Sequence, residues 1–230
     1  MKTVVKIEVL EDFSGTARCD EGFLQVRRLR CQNQYNNGGV SKQYQVDVIN
    51  RPRLDAVAAL VYRRQRQSPA TVEVLTRLTL RPAAYFRQEM QTIVPDNASH
   101  LFVEEVVAGL LESADVGELG ICQRAAKEVW EEAGIQVDAS LVERLGAPFF
   151  AAPGILSEKI FPCAVDVTGL SQTEPEGDGS PLEEGSSLRW TPIGMVLQRC
   201  VAGEIVDAKT ELLVRRFLDR YLKDVTGKAS

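Results

Sequence analysis

Residues 124–135 read RAAKEVWEEAGI, a stretch that predicts an acidic helix with a defined end. Glu128, Glu131 and Glu132 are three or four residues apart or adjacent, so at about 3.6 residues per turn their side chains share one helix face. Gly134 is a usual helix stop, and Ile135 begins an apolar run. The stretch therefore predicts a helix that ends at a glycine and leads into a strand.

Clustered carboxylates on one helix face repel each other unless a cation offsets their charge. Lys127 can pair with Glu131, four residues further on, but one lysine leaves an excess of negative charge. Carboxylate oxygens are the ligands that Mg²⁺ and Mn²⁺ collect. Such spacing is also common on solvated helix faces, so the segments around the helix have to decide between the two interpretations.

The segment upstream of the helix favours the metal site. Residues 103–111, VEEVVAGLL, predict a short apolar strand that reaches a small-residue turn at Ala108 and Gly109. Backbone groups at a glycine can approach a ligand closely. A strand, a loop, an acidic helix and a glycine stop form a compact layout for a metal site.

Residues 108–135, AGLLESADVGELGICQRAAKEVWEEAGI, resemble the signature box of the Nudix hydrolases. The family pattern is Gly, five residues, Glu, seven residues, Arg-Glu, an aliphatic, any residue, Glu-Glu, any residue, Gly and an aliphatic. The second half matches, except that Lys127 replaces the Arg. The first half departs: Gly109 precedes Glu128 by nineteen residues instead of fifteen, and Leu119 stands in the register of the early Glu. Glu112 and Glu118 are the two alternatives for that loop acid.

Three further segments resemble the ADP-sugar pyrophosphatase branch of this family. They are LTLRPAAY at 78–85, AAPGILSEK at 151–159 and SPLEEGSSLRWTPI at 180–193. Pro153 lies nineteen residues after Gly134, near the proline that marks the ADP-ribose branch about sixteen residues beyond the box.

The resemblance implies roles for individual residues. Arg81, Glu105 and Glu158 are expected to bind substrate. Glu184 stands where the family has its catalytic loop glutamate, with Glu183 as the alternative. Glu131 is the third acid of the helix and is expected to act in catalysis.

The resemblance also implies a metal set and a reaction. Glu128, Glu132 and the Ala108 carbonyl are expected to hold Mg²⁺, with Mn²⁺ as a possible substitute. The expected reaction is hydrolysis of the pyrophosphate bond of a nucleoside diphosphate sugar, ADP-ribose first, to a nucleoside monophosphate and a sugar phosphate. UDP-glucose is the close alternative. A Nudix-like module that binds a nucleotide sugar without hydrolysing it is the second alternative, favoured by the altered box.

The fold implied is an α/β Nudix sandwich, with a mixed sheet between helices and a small N-terminal antiparallel β domain before it. Residues 22–31 and 42–49 alternate apolar and polar around the turn NNGG, which is a hairpin pattern. The resemblance makes residues 1–50 a domain for homodimerisation and residues 51–230 the hydrolase domain.

The remaining elements are predicted from apolar runs and helical periodicity. Strands are expected at 55–64 and 71–80, joined by a polar turn containing Pro69, and near 141–150, 159–167 and 187–191. Helices are expected at about 120–133, 193–204 and 209–222. In the last helix Leu212, Leu213, Phe217 and Leu218 are expected to face the core.

Composition narrows the class of protein. The 230-residue chain has a net charge of −5 and no basic stripe, which argues against binding of a nucleic-acid polymer. Five scattered cysteines without a CxxC spacing favour neither a zinc site nor a disulfide framework. No window approaches twenty apolar residues, so we expect a cytoplasmic protein without membrane contact.

Overall fold

The computed structural model describes residues 8–10, 16–65, 68–96, 98–177 and 179–226. There the chain has a mixed α/β fold with an eight-stranded mixed sheet and a separate two-stranded antiparallel sheet. The small sheet contains β1 (Gln25–Cys31) and β2 (Tyr44–Asn50). The large sheet contains β3 (Ala56–Gln65), β4 (Ser68–Leu80), β5 (Phe102–Glu105), β6 (Val107–Leu110), β7 (Val142–Arg144), β8 (Phe149–Phe150), β9 (Lys159–Asp166) and β10 (Ser187–Pro192). The helices are α1 (Pro82–Tyr85), α2 (Gly117–Ala133), α3 (Ile193–Val201) and α4 (Ala208–Thr226).

Strand β3 is the centre of the large sheet. The main strand order is β10-β4-β3-β9-β7, with β3 parallel to β9 and antiparallel to β4 and β6. Its side chains alternate between two cores: Val57 and Val61 pack with α2, whereas Ala58 and Leu60 pack with α3 and α4. The sheet therefore lies between helices, as predicted.

Helix α2 ends where the sequence predicted. Gly134 has a left-handed backbone with φ of 67°, and its N–H donates to the Trp130 carbonyl over 3.0 Å. The helix begins at Gly117, three residues before the predicted start. The prediction of a strand directly after Gly134 was wrong, because the chain makes a 3₁₀ turn first and β7 begins only at Val142.

The single strand predicted at 103–111 is two strands with different partners. β5 pairs with β4, whereas β6 pairs with β3, because β3 and β4 separate at this end of the sheet. The break falls at Val106, whose N–H donates to Thr210 Oγ1 over 2.9 Å. The predicted turn at Ala108 and Gly109 was also wrong, since both residues lie in β6 opposite β3.

Neighbouring acids in β5 face opposite sides of the sheet. Glu104 accepts from both terminal nitrogens of Arg199 on α3, over 2.9 and 2.6 Å, and from Thr76 over 2.6 Å. Burial alone would raise the pKa of Glu104, but the hydrogen bonds from Arg199 and Thr76 hold it below its usual value. Glu105 lies opposite Arg77 of β4 in the strand register, and its side chain faces the α2 side of the sheet. Glu104 therefore holds α3 on the sheet, whereas Glu105 is available to the candidate active site on the other face.

The C-terminal helix packs much as its periodicity predicts. Leu213 and Phe217 are buried, Leu212 and Leu218 are partly exposed, and Val214 is fully buried although it was not predicted. Within the described ranges, no helix is long and apolar enough to cross a membrane.

Two predicted connections near the N-terminus have different outcomes. The hairpin is confirmed, because β1 and β2 pair in antiparallel register from Gln25↔Asn50 to Cys31↔Tyr44. Pro69 lies within β4 and not in a turn; residues 66–67, between β3 and β4, are outside the described residues, as are 1–7 and 11–15 of the predicted N-terminal domain. The small sheet contacts the loop between β8 and β9, where the Ile49 N–H donates to the Ile155 carbonyl over 2.8 Å.

Candidate active site

Glu128 on α2 lies against β6 because residue 109 is a glycine. A Cβ atom at Gly109 would overlap the Glu128 carboxylate. Burial raises the pKa of Glu128, and the negative charge of Glu131 adds to the shift. The acidic helix and the small-residue segment, predicted to build one site, therefore meet directly.

Glu132, one turn further along α2, has partners on both carboxylate oxygens. Oε1 accepts from Arg77 Nη1, and Oε2 accepts from the Ala108 N–H over 3.1 Å. Burial raises the pKa of Glu132 to about 7, with Glu128 and Glu105 adding to the shift and Arg77 and the Ala108 N–H opposing it. A pKa near neutrality leaves this carboxyl partly protonated at pH 7.

Helix charge is balanced more completely than the sequence suggested. Lys127 pairs with Glu131 over 3.3 Å, as predicted. Arg124 on the same helix approaches Glu128 over 3.5 Å, and Arg77 on β4 contacts Glu132, so each helix acid has a basic partner. Because these arginines also contact Asp115, Glu112 and Glu183, acids still outnumber cations around the helix.

Arg124 also orders the long loop that departs from the box pattern. Its guanidinium contacts Asp115 over 2.7 Å and Glu112 over 3.2 Å. Burial lowers the pKa of Arg124, but the hydrogen bond and charge of Asp115 outweigh it, so the net shift is upward. Of the two acids proposed for the loop, Glu112 thus lies beside the helix acids. Glu118 is 75% exposed and pairs with Arg144 over 2.7 Å, away from them.

A second group of charges surrounds Glu105, at the ends of β5 and α4. Glu105 is buried, contacts Arg81 through Oε1, and lies 3.4 Å from Lys209 Nζ through Oε2. Asp207 holds the same ammonium over 2.6 Å. Burial lowers the pKa of Lys209, but Asp207 and Glu105 more than offset this, so its pKa lies above the usual value. The residue carries a full positive charge at neutral pH.

A cleft of about 570 Å³ connects these residues with the small sheet. Three cations line it, namely Arg51, Arg81 and Lys209, together with Ala108 and Gly109. Glu158 also lines the cleft and contacts Arg51. Its apolar wall is formed by Leu24, Ile49, Ile155, Leu156 and Ile160. A cleft lined by cations and by apolar side chains suits an anionic ligand that also has a less polar part.

Phe23 is an exposed aromatic residue beside Arg51 of this cleft. Phe23 is 54% exposed, and the Arg51 guanidinium lies 5.8 Å from its ring centroid. Tyr85, which follows Arg81 by four residues, is buried.

The loop acids lie on the other side of Arg77. Glu183 Oε1 accepts from Arg77 Nη2 over 2.6 Å, and Glu183 lines a second pocket of about 440 Å³ with Arg77 and Glu132. Glu184, the first choice from the sequence, has an exposed side chain and does not line this pocket. The structure brings the alternative acid, Glu183, to the helix acids.

The donor set has the chemistry that Mg²⁺ prefers, because Glu128, Glu132 and the Ala108 carbonyl are all hard oxygen ligands. Their arrangement is less complete. In the part of the chain that the structure describes, no group of three or more His, Cys, Asp or Glu side chains is placed to hold a metal ion. Glu132 is instead satisfied by Arg77 and the Ala108 N–H.

Comparison with known proteins adds no assignment. No protein-family model matches the chain, and no curated protein matches it significantly.

Four basic residues of the site were not identified from the sequence: Arg51, Arg77, Arg124 and Lys209. A signal existed for Arg77, because it is four residues before Arg81, which directly follows β4, and strand alternation extended to Arg81 would place both side chains on one side. Arg124 is four residues before Glu128, which is ion-pair spacing on a helix. Arg51 and Lys209 carried no such signal, because the fold alone brings them to Arg81.

Proposed function

We propose that the protein is a Nudix-type hydrolase that cleaves the pyrophosphate bond of a nucleoside diphosphate sugar. ADP-ribose is the favoured substrate, and the products are a nucleoside monophosphate and a sugar phosphate. The observation that carries the proposal is the meeting of the acidic face of α2 with Ala108 and Gly109, at the edge of a cleft lined by Arg51, Arg81 and Lys209.

Each residue of the site has a separate role in the proposed hydrolysis. Water attacks one phosphorus atom, and the bond from that phosphorus to the bridging oxygen breaks. Arg81, Arg51 and Lys209 would neutralise the diphosphate, and the apolar wall with Phe23 would receive the nucleoside. A loop glutamate, Glu183 or Glu184, would orient the water and accept its proton. Glu158 and Glu105 fix the arginines that contact substrate.

Glu128, Glu132 and the Ala108 carbonyl would hold Mg²⁺, or Mn²⁺ in its place. When bound, the ion supplies neutralisation of phosphoryl charge and lowers the pKa of a bound water. Glu131, held by Lys127 beside Glu128, would add negative charge that favours the ion.

The test is a substrate panel measured with Mg²⁺ or Mn²⁺: ADP-ribose, UDP-glucose, ADP-glucose, NADH and diadenosine polyphosphates. Phosphate released by an added phosphatase reports the monoester products. We expect metal-dependent turnover of a sugar nucleotide that falls by at least about a hundredfold in Glu132→Gln. The control is Glu143→Gln, which removes an exposed acid that pairs with Arg220 on the far side of the sheet. If the protein prefers UDP-glucose, the proposed substrate is wrong but the proposed hydrolysis of a nucleoside diphosphate sugar stands.

A second candidate function is a module that binds a nucleotide sugar without hydrolysing it. The specific observation in its favour is that Arg77 already neutralises Glu132, so the described acids do not stand together as a metal site. Saturable binding of ADP-ribose by calorimetry, with no turnover of any substrate in the panel, would favour this module over the hydrolase.

We extend the proposal to a homodimer formed through the small sheet, as the family resemblance implies. Residues Phe23, Leu24, Tyr35, Val40 and Tyr44 of this region expose 45–54% of their surface. Tyr44 lies in β2 and the other four lie in the segments beside the small sheet, and such apolar exposure is consistent with a partner surface.

A further inference from the structure

Arg77 connects two carboxylates that come from distant parts of the chain. Its side chain is only 7% exposed. Nη1 donates to Glu132 on α2, and Nη2 donates to Glu183 in the loop before β10 over 2.6 Å. A guanidinium is a planar fork that can hold two carboxylates at once, whereas an ammonium is a point charge. The helix acid and the loop acid are therefore joined through one side chain.

The same contact occupies the carboxylate that a divalent cation would use. Glu132 directs one oxygen to Arg77 and the other to the Ala108 N–H. A divalent cation on that carboxylate would face the Arg77 guanidinium at short range in a buried site, where like charges repel strongly. Arg77 has a second partner in Glu183, so it can release Glu132 and remain paired.

We propose that Arg77 is a positioning residue that serves as an internal counter-ion, holding Glu183 beside Glu132 and releasing Glu132 when a divalent cation binds. The inference rests on the proposed function, because Glu132 is one of its metal ligands. Loss of an ordinary structural arginine would leave cation affinity unchanged or lower it. Loss of Arg77 should instead strengthen cation binding.

Mn²⁺ binding, followed by electron paramagnetic resonance at pH 8.5, tests this directly and needs no turnover. We expect Arg77→Met to bind Mn²⁺ roughly tenfold more tightly than the unaltered protein, since a competing positive charge is gone. The matched control is Arg63→Met, which removes an arginine of the neighbouring strand β3 that pairs with Glu73 outside the site. The Mn²⁺ affinity of Arg63→Met should equal that of the unaltered protein. Equal or weaker binding by folded Arg77→Met would overturn the proposal.

A second variant keeps the test decisive if Arg77→Met fails to fold. Glu183→Gln removes the second partner of Arg77, which then stays on Glu132, so Mn²⁺ should bind several-fold more weakly. Unchanged affinity would contradict the proposal. Where both single variants fold, Glu183→Gln should have no effect in the Arg77→Met background, because Glu183 acts through Arg77. A persisting effect would mean that Glu183 binds the ion itself.

The outcomes separate this inference from the proposed function. Mn²⁺ bound with equal affinity by all variants rejects the role of Arg77 and leaves the hydrolase intact. Failure of every variant to bind Mn²⁺ rejects the metal-dependent function and the role of Arg77 together.

Discussion

Glu132 shows how a single residue can be satisfied by hydrogen bonds and still hold a poorly stabilised charge. Burial costs the ionised form more than Arg77 and the Ala108 N–H return, and Glu128 and Glu105 add repulsion. The result is a carboxyl with a pKa of about 7 in the folded protein, against about 4.3 for an exposed Glu. Such a group makes folding depend on pH.

We predict that, with chelator present, the free energy of unfolding falls as pH rises from about 4.5 to 7 and levels off above that range. The folded state holds the Glu132 proton more tightly than the unfolded chain does, so removing that proton destabilises the fold. The contribution of Glu132 is on the order of 2 to 3 kcal/mol. Urea unfolding at a series of pH values measures it. Glu128 shifts in the same direction and adds to the slope.

The comparison that isolates Glu132 is Glu132→Gln, in which the slope between pH 4.5 and 7 should become clearly smaller. Glu143→Gln, whose side chain is 63% exposed, should leave the slope as it is. An unchanged slope in Glu132→Gln would mean that burial does not raise the pKa of this carboxyl.

Single residues also show where inference from sequence ends. Glu128, Glu131 and Glu132 could be selected because helical periodicity is local, and their spacing alone places them on one face. Arg77 is 55 residues from Glu132 and 106 from Glu183, so its role depends on how β4, α2 and the loop are packed. The choice between Glu183 and Glu184 is of the same kind. Adjacent residues differ in direction, and only the 3₁₀ turn at Pro181–Glu183 fixes which one faces Arg77.

At the scale of elements, the contact between α2 and β6 builds the site, and Gly109 permits it. We predict that Gly109→Ala lowers the free energy of unfolding by about 2 to 4 kcal/mol and weakens Mn²⁺ binding, because the added methyl group displaces the Glu128 carboxylate. Thermal unfolding and metal titration measure the two effects.

Gly194→Ala is the control for that substitution, since a Cβ there meets no atom within 4 Å. It lies in α3, so we expect unchanged or slightly increased stability. If Gly109→Ala behaves like Gly194→Ala, helix α2 does not depend on the glycine for its approach to the sheet.

Elements with local signals were predicted well. The end of α2 was predictable because Gly134 can adopt the left-handed conformation, and the β1–β2 hairpin was predictable from its alternation and its turn. The division of 103–111 into two strands was not, because it depends on the separation of β3 and β4 and on Thr210, 104 residues away from Val106. The start of β7 at Val142 agrees with the strand expected near 141–150, whereas the 3₁₀ turn before it has no marker in the apolar run after Gly134.

At the scale of the whole molecule, the cleft lies between the two sheets, and the small sheet supplies part of its wall. Leu24 is 51% exposed and lines the cleft that also contains Arg51 and Arg81. We predict that Leu24→Asp raises KM for the anionic substrate roughly five- to tenfold, with little change in kcat, because the new charge opposes binding by about 1 kcal/mol. Steady-state kinetics give both constants.

Val40→Asp is the matched control, because Val40 is 54% exposed in the same N-terminal region but does not line the cleft. An equal rise in KM for both variants would show that the effect is general to the small sheet. No rise in Leu24→Asp would place the substrate elsewhere.

Because Glu104 and Glu105 face opposite sides of the sheet, β5 should tolerate no insertion or deletion of a single residue. Side chains of a strand alternate in direction, so a slip of β5 by one residue would exchange the two acids. Glu105, the partner of Arg81 and Lys209, would then be buried against α3, and Glu104, the partner of Arg199, would lie toward Arg81 and Lys209. Arg199 on α3 donates to both carboxylate oxygens of Glu104, and a shifted β5 would lose both hydrogen bonds. Helix α3, on the other face of the sheet from α2, therefore helps to fix the register of β5. A one-residue insertion or deletion between Arg81 and Phe102 can be absorbed in the loop, whereas one inside β5 would damage core and cleft together.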